Sequence, residues 1–445
     1  MRKIQNYLER GVIYQINLRA FTNEGTLREA EKLLPHIREI ADIVYLCPCF
    51  VQDGDTDVSG WSDRTIKSKL NNPANPYRIS DYYNVDPEYG TNDDLRHYID
   101  AAHEIGLKVI LDLVYFHCGP NAVFLAEHPD FIVRGEDGKP DVGSWRFPKL
   151  NYNNKDLREY MIGNMELFVR DYGVDGYRCD VGDAVPLDFW AEARERIDAL
   201  NPNLMMLNEG TKPDYINVFD LNYSWNLRYA LCNVVENGQP ASHVGEVVTN
   251  FSKNNLQGSF QSIFLLENHD TVNDDYENRL EKRVGSEAMD AMFVVNMLLP
   301  NVPFIYCGTE IADTNRHSIW GNRFHGANLT IDWQNFQTLE GKRRMALLEK
   351  LYKLRHGLPE VGNSSKLEFV ATDSEKVLTF VRGEGENRLV VMVNLGNEPV
   401  RASAEVGACD LEPWMMSGAS VSLAGTEGKL TAALRPYGYA VVELH

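Results

Sequence analysis

From residue 12 to about residue 310 of this 445-residue chain, short apolar runs alternate with amphipathic segments of helix length. This rhythm is typical of βαβ units, which place their strands in a parallel sheet. A count of eight such strands favours a closed (β/α)8 TIM barrel over an open doubly wound sheet. The predicted strands are Val12–Leu18, Ile43–Cys47, Lys108–Val114, Gly173–Cys179, Leu204–Asn208, Ile216–Leu221, Ser262–Leu266 and Pro303–Cys307.

Two of the connecting helices are well marked in the sequence. Thr91 reads as an N-cap, and the acidic residues after it oppose the helix dipole. An apolar stripe then runs to Gly106, which is a stop signal. The segment Asn153–Asp171 carries a similar stripe and ends before Gly173. We therefore predict a helix before the third strand and another before the fourth.

Two connections are longer than ordinary barrel loops, and the last part of the chain has a different pattern. Segments 50–90 and 118–152 are rich in Gly, Pro, Asn and Asp, and long connections in compact domains are usually functional. After about residue 360 only short β-type runs and turns follow, which indicates an all-β sandwich. The predicted division is a barrel at 1–117 and 153–358, a short inserted subdomain at 118–152, and a C-terminal β-sandwich at 359–445.

The composition excludes two classes of partner. With 44 basic and 64 acidic residues the chain has a net charge of −20, which disfavours binding to the phosphate backbone of nucleic acid. No run is long enough to span a bilayer, so no membrane partner is expected. The N-terminus lacks the apolar core of a signal peptide, and the seven cysteines match no zinc framework. We expect a reducing, cytoplasmic location.

Three of the apolar runs end in a carboxylate. Asp180, Glu209 and Asp270 stand at or just after the ends of the fourth, fifth and seventh predicted strands. In a parallel barrel these ends share one rim, and that rim holds the active site. Paired carboxylates are the groups that cleave glycosidic bonds. The sequence therefore suggests a glycosidase site.

The neighbours of these carboxylates indicate different ionisation states. Strand alternation places Arg178 on the same face as Asp180, and a close Arg lowers a carboxyl pKa by about 1–3 units. Asp180 is then expected to be ionised, although a purely structural ion pair remains an alternative. Glu209 follows a run of Leu and Met, and apolar surroundings raise a carboxyl pKa. Glu209 is expected to hold a proton near neutral pH.

Two imidazoles and a further carboxylate flank the same rim. His269 precedes Asp270, and Asp112 and His117 flank the end of the third strand. The imidazoles could bind sugar hydroxyls. Metal binding is less favoured, because no third close ligand accompanies them.

Together these segments resemble the four signature regions of the α-amylase family of glycoside hydrolases (family 13). Asp112–His117 resembles the first region, Gly176–Asp180 the second, Leu207–Glu209 the third and Glu267–Asp270 the fourth. The segment Asn75-Pro-Tyr-Arg-Ile-Ser-Asp-Tyr-Tyr also resembles the family's sequence before the third strand. The resemblance covers about residues 10 to 355, and the C-terminal module resembles the domain that the family usually appends.

The resemblance implies a role for each candidate residue. Asp180 would be the nucleophile, Glu209 the general acid/base, and Asp270 the stabiliser of the transition state. Asp112 would brace Arg178 from behind. The residues that would bind the sugar at the cleavage site are Tyr77, His117, Arg178 and His269.

The chain departs from the family pattern at four positions. Phe116 stands where the family has the Asn that ligates a structural calcium ion, and an apolar ring cannot ligate a cation that requires oxygen. We therefore predict that the family's calcium is missing and that no other cofactor is needed. Asp183 and Ala184 replace the Lys-His pair of many amylases, and Thr211 replaces an aromatic residue. Contacts on the leaving-group side must differ.

The leading prediction is a retaining glycoside hydrolase that cleaves α-glucosidic bonds in oligosaccharides or small α-glucans. One alternative is a transglycosylase or isomerase of sucrose- or trehalose-like disaccharides, since both share the first half-reaction. Another alternative is an inactive barrel that serves as an interaction domain, although the three catalytic carboxylates are present.

Overall fold

The computed structural model describes residues 5–254, 262–274, 279–325, 329–385, 387–407, 410–424 and 428–445. The strands are β1 (Ile13–Ile16), β2 (Ile43–Leu46), β3 (Phe50–Gln52), β4 (Ile79–Val85), β5 (Lys108–Leu113), β6 (Gly176–Cys179), β7 (Met205–Asn208), β8 (Leu221–Tyr223), β9 (Ser262–Leu265), β10 (Val302–Tyr306), β11 (Leu367–Phe369), β12 (Val377–Glu384), β13 (Asn387–Asn394), β14 (Val400–Glu405), β15 (Leu411–Ala424) and β16 (Lys429–Leu444). The helices are α1 (Leu18–Phe21), α2 (Leu27–Glu31), α3 (Leu34–Arg38), α4 (Asp63–Ser68), α5 (Asn92–Glu104), α6 (Lys155–Tyr172), α7 (Leu187–Leu200), α8 (Trp225–Asn237), α9 (Ser242–Asn254), α10 (His269–Asp274), α11 (Leu280–Val284), α12 (Ser286–Leu298) and α13 (Leu339–Gly357).

Eight parallel strands close into the predicted barrel. Their order around it is β1-β10-β9-β8-β7-β6-β5-β2, so consecutive barrel strands are neighbours throughout. Alternate residues point inward, and the strands fill the interior with a dry apolar cluster that includes Ile13, Tyr45, Ile110, Leu207, Leu265 and Phe304.

Strand register explains why charged residues can stand above this cluster. Ile110 pairs with Gly176, and two residues further on Asp112 pairs with Arg178. Because Ile110 belongs to the interior cluster, the period of two makes Asp112 and Arg178 point inward as well. They therefore form a polar layer at the carboxyl end of the barrel.

The prediction for the sixth strand is wrong. Residues 216–221 were predicted to form it, but Pro213–Asn217 is a 3₁₀ helix and the strand is β8. Proline at the start favours a helical turn, because its fixed φ suits the first helical position. Phe219 is buried against the ring of Trp190 on α7, with centroids 5.4 Å apart. The apolar run therefore packs beneath a helix and does not lie in the sheet.

Both predicted helices are confirmed, with slightly shifted ends. Thr91 and Asp94 form a capping box at the start of α5. Gly173 closes α6 in a left-handed conformation with φ 71°, which glycine adopts without steric cost. These helices set the approach of the chain to β5 and β6, the strands that carry Asp112 and Arg178.

The two long connections have structure of their own. The segment after β2 holds β3 and β4, which pair as an antiparallel ribbon, with α4 between them. The segment after β5 holds two 3₁₀ turns, Val123–Ala126 and Pro129–Phe131, and isolated bridges. Both emerge at the carboxyl ends of barrel strands and therefore stand beside the polar layer.

The C-terminal part is an all-β antiparallel sheet, as predicted. Its order is β11-β12-β13-β16-β14, and β15 pairs along β16 with register shifts between Pro413 and Met415 and between Ser417 and Ala419. Both halves of β16 contribute to one apolar cluster, so the sheet folds over a core of its own. Arg382 is buried and donates to the carbonyl oxygens of Leu298 and Gly362, which joins this sheet to the barrel. The exact division into domains remains a prediction.

Candidate active site

The structure brings the predicted site residues together at the carboxyl end of the barrel. Asp180 directly follows β6, Glu209 directly follows β7, and Asp270 lies in the first turn of α10, a few residues after β9. One pocket, about 530 Å³ including its open mouth, is lined by six of the predicted residues, namely Tyr77, His117, Asp180, Glu209, His269 and Asp270.

Arg178 joins the carboxylates beneath this pocket. Its side chain is fully buried, and Nη1 donates to Oδ1 of Asp112 at 2.7 Å, Oδ2 of Asp112 at 2.9 Å and Oδ1 of Asp180 at 2.9 Å. Nη2 lies 2.6 Å from Oε2 of Glu209, a close ion pair without hydrogen-bond alignment. One guanidinium therefore forms ion pairs with three carboxylates, those of Asp112, Asp180 and Glu209.

The pKa of Asp180 is raised, and the sequence-based expectation of a lowered pKa is wrong. Burial raises this pKa well above the usual value; Arg178 opposes the effect without cancelling it, and the charge of Glu209 adds to it. Arg178 divides its attraction among three carboxylates, so no single one receives all of it. Burial also raises the pKa of Glu209, as predicted. Because the charge of Glu209 raises the pKa of Asp180 and both carboxylates contact one guanidinium, Asp180 and Glu209 titrate as a coupled pair.

Asp270 stays ionised. Burial alone would raise its pKa, but His269, Arg64 and Arg178 outweigh burial and lower it. Arg64 donates from Nη1 to Oδ1 of Asp270 at 3.0 Å, and its guanidinium lies 5.3 Å from the ring centroid of Trp320. A negative charge therefore lines the same pocket as Asp180 and Glu209.

Hydrogen bonds define the tautomer of His269. The Gln15 side chain accepts from the backbone N–H of His269 through Oε1 at 3.1 Å, so its Nε2 donates to Nδ1 at 2.7 Å. Nε2 of His269 then carries the proton and donates to the Tyr77 hydroxyl at 2.7 Å, which in turn donates to Oδ2 of Asp112 at 2.9 Å. Burial lowers the pKa of His269, in keeping with this neutral form. The assignment follows from the network of partners.

His117 presents an acceptor to the pocket. Nε2 lies 2.9 Å from the carbonyl oxygen of Tyr77 and must donate to it, which leaves Nδ1 without a proton. Nδ1 is buried and has no hydrogen-bond partner among the residues that the structure describes. Burial lowers the pKa of His117 to about 4, so the ring is neutral near neutral pH. His117 thus lines the pocket as a neutral ring with one nitrogen that can accept a hydrogen bond.

Several residues of the site were not predicted from the sequence. Gln15 on β1 and Tyr45 on β2 look like core residues, and only the closed barrel shows that they contact His269 and Asp112. The pocket is also lined by residues from the two long connections 50–90 and 118–152, for which segment length and composition were the only signals, and by two residues from the connection after β10, which the sequence analysis did not single out. These are Ser62, Arg64, Asn75, Trp145, Phe147, Ile319 and Trp320.

The region of the family's calcium ion offers no oxygen at Phe116. Its ring contacts the rings of His117 and Trp145 at centroid distances of 5.9 and 5.8 Å. In the described part of the chain no three His, Cys, Asp or Glu side chains converge in a way that could hold a metal. The residues present do not fit the ion, and independence of calcium stays a prediction.

Chelation tests that prediction. We expect dialysis against EDTA to leave both the predicted glycosidase activity and the melting temperature unchanged, because Phe116 provides no ligand for a hard cation. The measurement is hydrolysis rate and thermal unfolding with EDTA and with added Ca²⁺. Loss of activity in EDTA that Ca²⁺ restores would contradict the prediction.

Comparison with known proteins agrees with the geometry. The family model for the alpha-amylase catalytic domain matches residues 16–131 and 141–348, which is well over half of the chain. The chain belongs to the alpha-amylase family. Among solved structures, this family member is similar in fold to a maltogenic alpha-amylase from Thermotoga neapolitana, with a TM-score of 0.82, 22% identity, and coverage of 98% of this chain and 99% of that one.

Curated relatives of this alpha-amylase family member are longer proteins. A maltogenic alpha-amylase of Bacillus acidopullulyticus is 26% identical over 73% of this chain and 58% of its own length. A cyclomaltodextrinase of Geobacillus thermopakistaniensis is 24% identical over 83% of this chain and 65% of its own length. The chain thus spans about three fifths of the relatives it matches. Among the described residues, no helix combines the length and apolarity that crossing a membrane requires.

Proposed function

We infer that this alpha-amylase family member is a retaining glycoside hydrolase that cleaves α-glucosidic bonds in oligosaccharides or small α-glucans. The observation that carries the inference is the pair of Asp180 and Glu209, which contact one buried guanidinium and line the same pocket. The names of its relatives, maltogenic alpha-amylase and cyclomaltodextrinase, support α-glucans as the substrate class. A cytoplasmic location stays a prediction.

In the first step Asp180 attacks the anomeric carbon and forms an ester bond to it. The bond between that carbon and the glycosidic oxygen breaks, and Glu209 gives its proton to the departing oxygen. The raised pKa of Glu209 keeps that proton available. In the second step Glu209 takes a proton from water, whose oxygen attacks the same carbon and releases Asp180.

Other residues of the pocket bind the sugar in this proposal. His117 accepts from a hydroxyl at Nδ1, and Asp270 stabilises the positive charge that develops at the ring. The rings of Tyr77 and His269 lie offset and nearly parallel, joined by the hydrogen bond of the Tyr77 hydroxyl, and the proposal places the sugar against the Tyr77 ring. Asp112 accepts hydrogen bonds from Arg178 and from the phenols of Tyr45 and Tyr77. These bonds fix the position of Arg178 before a sugar binds.

The pH profile should show the coupled pair directly. At low pH both carboxyls are protonated and the nucleophile is neutral; at high pH both are ionised and no acid remains. The rate should therefore peak between two limbs. Because the pKa of Glu209 is raised, the alkaline limb should lie above the ordinary pKa of Glu. With an aryl α-glucoside of low leaving-group pKa, kcat/KM of Glu209→Gln should lack the alkaline limb. A retained limb would contradict the assignment.

A substrate screen tests the activity itself. Maltooligosaccharides, an α-1,6-linked disaccharide, trehalose and sucrose should be incubated with the protein, and products and their anomeric configuration followed by chromatography and NMR. Release of the α-anomer from an α-1,4-linked substrate supports the proposal. Isomerised or longer products would favour the transferase alternative, and absence of turnover on every substrate would favour the inactive barrel.

A further inference from the structure

The turn that follows Asp180 reaches across to Glu209. Val181 has a left-handed backbone, with φ 43° and ψ 40°. A β-branched residue is strained there and keeps the conformation only where its surroundings impose it. The result is a directed hydrogen bond, because the Val181 N–H donates to Oε2 of Glu209 at 3.1 Å. The backbone next to one carboxylate therefore orients the other.

Asp183, at the end of this turn, binds residues on both sides of Glu209. Its Oδ1 accepts from Nδ2 of Asn208 at 2.8 Å. Its Oδ2 accepts from the backbone N–H groups of Thr211 at 2.7 Å and Lys212 at 2.9 Å. Lys212 returns a hydrogen bond from Nζ to the Asp183 carbonyl oxygen at 2.6 Å. The segment that carries Glu209 is thus attached to a single carboxylate.

The approach of Asp183 to this segment is too close for a side chain at the intervening position. Gly210 directly follows Glu209, and a Cβ added there would lie 2.2 Å from the carboxyl group of Asp183. Across the turn, a Cβ at Gly182 would lie 2.2 Å from Oδ1 of Asn208. The absence of a side chain at these two glycines therefore permits the close contact between Asp183 and the segment that carries Glu209.

We propose that Asp183 is the positioning residue of the acid/base: it fixes Glu209 relative to Asp180 through hydrogen bonds to residues 208, 211 and 212. The proposal rests on the proposed function of the pair. Hydrogen bonds from N–H groups to a carboxylate are stronger than neutral ones, and they suit a residue that must hold a chain segment. A displacement of about 1 Å at a catalytic group can cost about 10²-fold in rate.

Asp183→Ala tests the proposal with two substrates that differ in their need for an acid. Departure of the leaving group of maltotriose requires a proton from Glu209, whereas fluoride leaves α-glucosyl fluoride without one. We expect kcat/KM for maltotriose to fall by about 10²-fold and kcat/KM for α-glucosyl fluoride to change by only a few-fold. For both substrates kcat/KM reports the first step, in which the leaving group departs, and not the hydrolysis of the ester. The alkaline limb should move to lower pH, because a mobile Glu209 is better hydrated.

The controls separate positioning from folding. Asp183→Asn serves as a second variant if Asp183→Ala does not fold. It keeps the shape of the side chain and one acceptor oxygen, so kcat/KM should again fall more for maltotriose than for α-glucosyl fluoride, but by a smaller factor. Asp214→Ala removes an exposed carboxylate from the same loop and should leave both ratios unchanged. Equal losses on both substrates, or no loss, would overturn the role of Asp183. Wild-type protein that turns over neither substrate would overturn the proposed function and this role with it.

Discussion

Asp180→Asn is expected to lower kcat on maltotriose by several orders of magnitude. The amide nitrogen cannot form the ester with the anomeric carbon, and the amide oxygen is a far weaker nucleophile than a carboxylate. Unlike loss of the acid/base, this loss should be equally severe on an aryl α-glucoside, because no leaving group removes the need for a nucleophile. Steady-state rates on both substrates are the measurement. Near-normal turnover on either would remove Asp180 from its role.

The folding of this variant gives an independent check. The pKa of Asp180 is higher in the folded protein than in the unfolded chain. At a pH below the unfolded-state pKa the carboxyl is protonated in both the folded and the unfolded protein, so it does not lower the free energy of unfolding. As pH rises through the window between the unfolded and folded pKa values, the folded state loses stability relative to the unfolded one. At pH 7 Asp180→Asn removes this cost, and the melting temperature should hold or increase. Lost activity with a lowered melting temperature would point to misfolding instead.

A small anion should restore chemistry when the carboxylate is removed altogether. Asp180→Gly leaves space beside the anomeric carbon, and azide can enter it from the face that Asp180 occupied. The expected product from an aryl α-glucoside is the β-glucosyl azide, because a single displacement inverts the configuration. The α-azide, or no rescue, would contradict the placement of the nucleophile.

Arg178→Met is expected to give the largest loss of stability of any single change at the site. It leaves Asp112, Asp180 and Glu209 without their shared cation in a buried layer where Arg178 itself is fully buried. Removal of one partner from a buried ion pair typically costs about 3–5 kcal/mol. Urea unfolding at pH 7 measures the effect, and glycosidase activity should be lost. The deficit should shrink at low pH, where carboxylates become neutral.

Two further variants decide whether charge or packing causes this loss. Arg178→Met combined with Asp112→Asn removes one of the stranded charges, so it should recover part of the stability if charge is the cause. Arg170→Met removes an exposed Arg that pairs with Asp171 at the surface, and should leave unfolding almost unchanged. If the double variant is no more stable than Arg178→Met, the loss of stability does not come from buried carboxylates left without a cation.

The barrel could be predicted from the sequence because seven of its strands are continuous apolar runs bounded by helices. The sixth strand could not, since β8 is only three residues long and stands beside an apolar segment, residues 218–219, that packs under α7. Periodicity alone does not distinguish a short buried strand from such a segment. Proline at position 213 was the available signal for a helical turn there.

The site residues were predictable where a carboxylate or imidazole ends an apolar run, as at Asp180 and Glu209. Gln15 and Tyr45 were not, because their role depends on closure of the barrel around Asp112 and His269. The pKa of Asp180 was missed for a related reason: its neighbour Arg178 was visible in the sequence, but the competing carboxylates and the burial of Asp180 were not.

The most direct test of the account is to identify the residue that forms a covalent bond with the sugar. Glu209→Gln should be incubated with α-glucosyl fluoride, which needs no acid for the first step but leaves the ester without a base for the second. Intact mass spectrometry should then show one added glucosyl unit, and peptide mapping should locate it on Asp180. No adduct, or an adduct on another residue, would contradict the central claim that Asp180 attacks and Glu209 assists from the same pocket.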